Sequence, residues 1–275
     1  MKSTWTYLLL MFFPLFLTAG GEDGPVGARS MALGRCMISS ADIWSAYNNQ
    51  AGLLGTQGLS AGVYYENLFF VDGLGQQGIV LAQRLDNKAI AVNMSSFGLS
   101  GYRDDRYGIA YAMQLGEKLD MGVQLNYHQT RIAFQEYGNT SSVTAEIGLI
   151  SHITEDFDLG FHLFNPWQAQ LNEFEDERIP TVMGLGGSYT ISDRLTLMSE
   201  VAKDIERPAV VRGGIEYNVM DKVSLRAGLS SEPILSSFGA GMEFGALTVD
   251  LAASYHRTLG YSTQIALSYV LSEAL

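Results

Sequence analysis

Four histidines, His128, His152, His162 and His256, are the side chains best suited to acid–base or metal chemistry in this 275-residue chain. None belongs to a His-Glu-x-x-His or comparable spacing that would bring two imidazoles to one metal ion. Neither a Gly-x-Ser-x-Gly turn nor a phosphate-binding Gly-rich loop appears. The acidic run Glu173, Glu175, Asp176 and Glu177 lacks the glycine-bearing frame of a calcium loop with its roughly six to eight oxygen ligands, and reads as a solvated loop. The only cysteine, Cys36, excludes an internal disulfide and a four-cysteine zinc site, and reads as a small buried residue. No catalytic residue, metal or cofactor is expected, and the chain is not expected to be an enzyme.

What the histidines share is a phase. From Leu59 onward the sequence alternates with period two and shows no sustained helical period. Leu247, Val249, Leu251, Ala253 and Tyr255 alternate with Thr248, Asp250, Ala252, Ser254 and His256. Leu119, Met121, Val123, Leu125 and Tyr127 likewise alternate with Asp120, Gly122, Gln124, Asn126 and His128. Tight polar turns fall at Asp86-Asn87, Glu117-Lys118, Glu155-Asp156, Asp193-Arg194 and Asp221-Lys222, with Gly245-Ala246 as a sixth. Between them lie longer connections near 70–76, 133–140, 168–178 and 231–236. Short turns at one end and longer loops at the other are the pattern of a transmembrane barrel, with the turns on the periplasmic side.

This pattern predicts strands near 59–67, 78–85, 89–97, 105–115, 119–131, 142–153 and 157–164. Seven more follow near 180–191, 195–204, 209–219, 223–230, 238–244, 247–256 and 260–271. The fold class is therefore all-β, a transmembrane antiparallel barrel of about 14 strands, many of them near the ~9–11 residues that a tilted membrane strand needs. Composition agrees: 47% of residues are hydrophobic and only 17% charged, with 30 glycines, 14 tyrosines and 6 prolines. Closure matters because an open sheet would leave unpaired backbone groups in lipid. Tyrosines recur on the apolar face toward strand ends, as an aromatic girdle would place them.

With the apolar face toward lipid, the opposite phase faces the lumen. It carries His128, Glu146, His152, His162, Glu200, Arg212, Glu216, Arg226, Glu243, Asp250 and His256, along with Glu66, Arg84, Arg106, Asp120 and Asp158. An ionisable group on the lipid side costs roughly 2–4 kcal/mol near the midplane, so the common phase follows from physics. A wet, salt-bridged lumen is the expectation. The formal net charge of −12 makes nucleic acid an unsuitable partner.

The N-terminus reads as an export signal. Lys2 begins it, Tyr7 to Leu17 form an apolar core, and Thr18-Ala19-Gly20-Gly21 offers small residues for cleavage. Three parts follow: a signal peptide at 1–21, an N-terminal plug or rim segment at 22–57, and an outer-membrane barrel at 58–275. The middle part does not alternate. Its apolar residues, among them Met31, Leu33, Ile43, Trp44 and Leu53, are too many for a solvated arm, so it is expected to serve the lumen.

That segment also carries a resemblance. Gly27, Ala28, Arg29 and Gly34, then Asp42, then Asn48, Asn49, Ala51, Gly52 and Leu53 resemble the N-terminal signature of PorV/PorQ-type proteins within the wider FadL-like group. Gln50 stands where many members have proline. Asn165-Pro166 and Pro180, on either side of the acidic loop, are a second match. The resemblance implies a fourteen-stranded barrel of the Gram-negative outer membrane. The function expected first is a non-catalytic accessory or partner role in envelope processes such as type IX secretion; the alternative is a FadL-like channel for small hydrophobic molecules, and an outer-membrane hydrolase is a distant third. The partners the resemblance implies are outer-membrane lipid, secretion-system or other envelope proteins, and hydrophobic small molecules.

Overall fold

This computed structural model describes residues 25–99, 101–133, 139–172 and 177–272. The expected export signal and most of the acidic loop lie outside the described residues.

The described residues form sixteen strands: β1 Leu59–Asn67, β2 Gly75–Leu85, β3 Lys88–Leu99, β4 Tyr102–Gln114, β5 Leu119–Ile132, β6 Asn139–His152, β7 Phe157–Phe164, β8 Gln170–Asn172, β9 Glu177–Arg178, β10 Val182–Ser192, β11 Leu195–Asp204, β12 Val210–Met220, β13 Val223–Ser231, β14 Ile234–Phe244, β15 Leu247–His256 and β16 Gly260–Ser272. Fourteen close into one antiparallel barrel, each pairing with its neighbours, and β1 meets β16 with Val63 opposite Leu267. The two short strands β8 and β9 pair separately within the β7–β10 connection.

Alternation decides the fold. Large apolar and tyrosine side chains such as Ile79, Ile109, Leu125, Leu185, Leu229 and Leu251 remain exposed, a surface suited to lipid and not to water. The opposite phase is mostly small or polar, with Tyr64, Val80, Ile150, Phe164 and Met198 as buried apolar exceptions. Hairpins at the tight end are compact because Asp86 and Gly245 take positive φ, which matches a two-residue turn to the twist of its strands.

One connection differs from expectation. Residues 231–236 do not form a longer loop: β13 and β14 are joined by Glu232 and Pro233 alone, with Ser231 paired to Ile234. The stretch Leu235-Ser236-Ser237 has too little apolar alternation to read as strand, yet backbone pairing carries it.

β7 is short. Its pairing with β6 ends at Glu146 opposite Phe164, so the residues of β6 from 139 to 145 have no ladder on that side. The loop stands in for the strand there. Asn165 donates its backbone N–H to the Ala145 carbonyl at 2.8 Å, and the Trp167 ring nitrogen donates to the Val143 carbonyl at 3.1 Å.

Candidate functional site

Ahead of the barrel, the chain forms helices α1 Ala28–Ala32 and α2 Ser45–Asn48 and a 3₁₀ turn at Gln50–Gly55. Elements this short do not stand alone; they hold their shape because the wall packs around them. α1 touches β13 to β16, whereas the 3₁₀ turn touches β2 to β6. The segment therefore crosses the lumen from wall to wall. Ala28, Leu33, Ala46, Asn49, Gln50, Ala51 and Leu53 are completely buried.

Close approach needs wall positions without side chains. A Cβ on Gly122 would lie 2.3 Å from the Gln50 carbonyl carbon, and one on Gly228 would lie 2.1 Å from the Gly34 nitrogen. Alanine at either site would collide with backbone, which cannot swing aside.

The residues of the family-like signature have structural positions. Gly27 takes φ 104°, and a Cβ there would press on the Trp44 ring. Gly34 also has positive φ, against the β13 backbone. Arg29 bonds Asp42 and Glu216, each at 2.9 Å. Burial opposes its charge, but those two carboxylates outweigh that and raise its pKa above the usual arginine value. Asp42 also accepts the Trp44 N–H. Asn48 accepts from Val26 N and donates to Val26 O, fastening the two ends of the segment. Asn49 accepts from Ala51 N and donates to the carbonyls of Ile38, Leu149 and Phe161. Gly52 packs under the Ser40 carbonyl. In the outer loop, buried Asn165 bonds the Ile179 and Pro180 carbonyls and accepts from Ala169 N, while Pro166 follows it directly in the turn.

The charged residues read from phase form three groups. The first surrounds Glu146, which is 1% exposed. One carboxylate oxygen accepts from Arg106, Gln124 and Asn126, and the other pairs with Gln50 Nε2 at 2.8 Å and His162 Nε2 at 2.9 Å. Arg106 also lies over the Phe164 ring, and His128 bonds Thr144. The second group links Arg29, Asp42, Glu216, Arg226 and Asp250. The third is Glu200, which takes Arg212 on one oxygen and the backbone N–H groups of Met37 and Ile38 on the other.

His152 stands apart near the tight-turn end, between Asp120 and Asp158. His256 stacks edge-on with Phe69 at the opposite end. Glu243 is exposed and borders an open polar cavity of about 360 Å³ at the tight-turn end, together with Arg29, Asp42, Glu216, Lys222 and Asp250. Among the described residues no group of three or more His, Cys, Asp or Glu side chains is placed to hold a metal ion.

Several participants were not singled out from the sequence. Arg35 reaches Glu66 at 3.0 Å, and Tyr47 donates to the Ile79 and Met94 carbonyls. Burial pushes the Tyr47 phenol well above its ordinary pKa. A lone arginine between small residues was the available signal for Arg35; nothing in the local pattern marked Tyr47.

No protein-family model matches the sequence, and no curated protein matches it significantly. Solved structures do resemble it. The CymD monoaromatic hydrocarbon channel superposes with a TM-score of 0.66 at 14% identity, covering 88% of this chain and 96% of that one. The Ralstonia pickettii toluene transporter TbuX gives 0.65 at 12%, covering 90% and 97%. A Pseudomonas aeruginosa FadL homologue gives 0.62 at 13%, covering 89% and 98%. These neighbours are FadL-type outer-membrane barrels, so the wider FadL-like expectation of fold holds. The narrower PorV/PorQ likeness and a type IX secretion role find no support among them.

Proposed function

We propose that this chain is a non-enzymatic, plugged barrel of a Gram-negative outer membrane that admits small hydrophobic molecules. The observation that carries the reading is a fourteen-stranded barrel shared along nearly its whole length with hydrocarbon channels, together with a lumen filled by the chain's own N-terminal segment. Such a plug suits a selective conduit and not an open pore for water-soluble solutes. An apolar molecule gains little from a lumen of paired charges and more from contact with the wall. Beyond the end of β7 the β6 edge is met by loop residues 165–167 and not by a strand, so a lateral opening there would break no strand ladder.

A second reading rests on the same lumen. Its charges are paired, which suits an accessory barrel docking another envelope protein at the open polar end. In this chain those pairs are largely engaged with the plug, and that favours transport.

Uptake separates the two. In outer-membrane vesicles, the folded barrel is expected to speed entry of dilute toluene while leaving a disaccharide unaffected. Unchanged toluene entry, with the barrel shown to be folded by heat-modifiable migration, would sink the transport reading.

A further inference from the structure

The outward phase of β4 and β5 is apolar or tyrosine except at its loop end. Arg103 and Arg131 are direct cross-strand partners there, on the same outward phase as the facing pair Tyr107 and Tyr127. Like charges directly opposite each other destabilise a sheet. Asp105 sits between them, 1% exposed, and accepts from Arg103 Nε at 3.0 Å and Arg131 Nη2 at 2.9 Å. One carboxylate thus serves two guanidiniums. The three groups keep a net positive charge on a chain whose formal net charge is −12.

Both arginines stay half exposed, with side chains at 50% and 45%. Among the described residues, Arg103 makes its bonds only through Nε, to Asp105 and Ser96, and Arg131 only through Nη2, to Asp105 and Gln129. No other N–H group of either fork is engaged by a described residue. Beside Arg103 lies a cleft of about 270 Å³ lined by Gly75, Gln77, Ser96, Gly98 and Leu99. Polar donors thus sit just beyond a tyrosine pair, at the height where aromatic side chains mark the membrane interface. Below them the exposed Tyr107, Ile109, Leu125 and Tyr127 offer an apolar track for acyl chains.

We propose that Arg103, Arg131 and the adjoining cleft bind the phosphate of a lipid of the outer leaflet, a phosphorylated glucosamine headgroup of the lipid A type. Guanidinium matches phosphate with two parallel hydrogen bonds, and a second positive charge opposite the first favours an anion between them. The acyl track makes the occupant a lipid and not a free anion. The proposal rests on the reading that the barrel stands in an outer membrane with its tight turns inward.

Native mass spectrometry of the detergent-solubilised full chain tests it, with three probes: bis-phosphorylated lipid A, the same lipid stripped of phosphate, and inorganic phosphate. One phosphorylated lipid should be retained, at least roughly tenfold more than the stripped form. R103Q/R131Q should lose that preference, and R103K/R131K should keep part of it, since lysine supplies charge without the fork. Equal retention of the two lipids by the intact protein overturns the site. So does undiminished preference in the double glutamine variant, or displacement of the lipid by equimolar inorganic phosphate. Should the double variant fail to assemble, the two-lipid comparison on the intact protein decides alone. Orientation is read separately, from antibody access on intact cells to an epitope placed at Thr258. An inaccessible epitope would remove the outer-leaflet premise even with phosphate discrimination intact.

Discussion

The two halves of the plug are held by different chemistry. Residues 25–44 rest on the wall from β7 round to β1, and their fastenings end on carboxylates: Arg29 on Glu216, Arg35 on Glu66, and the Met37 and Ile38 amides on Glu200. Residues 45–56 rest on β2 to β7 mostly through uncharged groups, Tyr47 and Asn49 on wall carbonyls and Asn93 on the Ala46 carbonyl, with Gln50 on the Glu146 carboxylate as the exception. Ionic fastenings tolerate small displacements and weaken with salt, whereas hydrogen bonds between buried neutral groups fail within an ångström. The first half is thus the one suited to release, and the second is the one suited to act as the fixed end.

The strongest break in this comparison is at the fixed end. Glu146→Ala removes a carboxylate that Arg106 donates to and strips a partner from Gln50, His162, Gln124 and Asn126. Breaking a buried ion pair by removing one member costs about 3–5 kcal/mol. The variant should unfold at markedly lower denaturant, followed by heat-modifiable migration; a midpoint equal to that of the intact protein would show that the network is not structural.

Next in size is a charge on the wrong face. Leu251→Arg places a guanidinium on the exposed outer surface of β15, at roughly 2–4 kcal/mol near the membrane midplane. Its neighbour Ala252 belongs to the buried cluster that includes Ala28, Met31 and Ala32. Arginine there should let the barrel insert but displace α1, raising ion conductance in planar bilayers. Failed insertion of both variants, or of neither, would mean that the two faces are not distinct.

Much of this was legible beforehand, for physical reasons. Period two is written into every membrane strand, so the fourteen strands could be read locally. The pairing of the lumen charges could not. Arg106 and Glu146 are 40 residues apart, and Arg29 and Glu216 are 187. Nor did the seat of the plug show itself: Gly122 and Gly228 look like ordinary strand glycines until the Gln50 and Gly34 backbones are seen against them. Gln50 was visible as a departure from a family pattern, but its purpose, a donor for Glu146, needed the third dimension.

At the releasable end the effect should be smaller. Arg29→Met leaves Glu216 paired with Arg226, and Asp42 still accepting from Trp44 N. Losing charged hydrogen bonds in that setting costs about 1–3 kcal/mol. The loss should appear as faster protease cleavage within residues 25–44 of a folded barrel. In the intact protein, raising salt should move cleavage in the same direction. Salt-insensitive cleavage would mean that the ionic contacts do not hold this half.

Cys36 offers the gentlest probe of the same half. It lies 2% exposed in a cluster with Leu33, Met37 and Met198. Burial, reinforced by the nearby Glu200 carboxylate, pushes its thiol well above the ordinary range. A raised pKa means that the thiolate, the reactive form, is scarce until pH climbs past it. At pH 8 the folded protein should therefore resist maleimide for hours, while the unfolded chain reacts within minutes. Any labelling of the folded protein then reports opening of the plug around Cys36, which shares its cluster with Leu33, Met37 and the wall residue Met198. Arg29→Met should accelerate that labelling, and Tyr47→Phe, which alters only the fixed end, should leave it nearly unchanged. Equal acceleration by both variants would show that the plug opens as one body, and the division into a fixed and a releasable half would have to be abandoned.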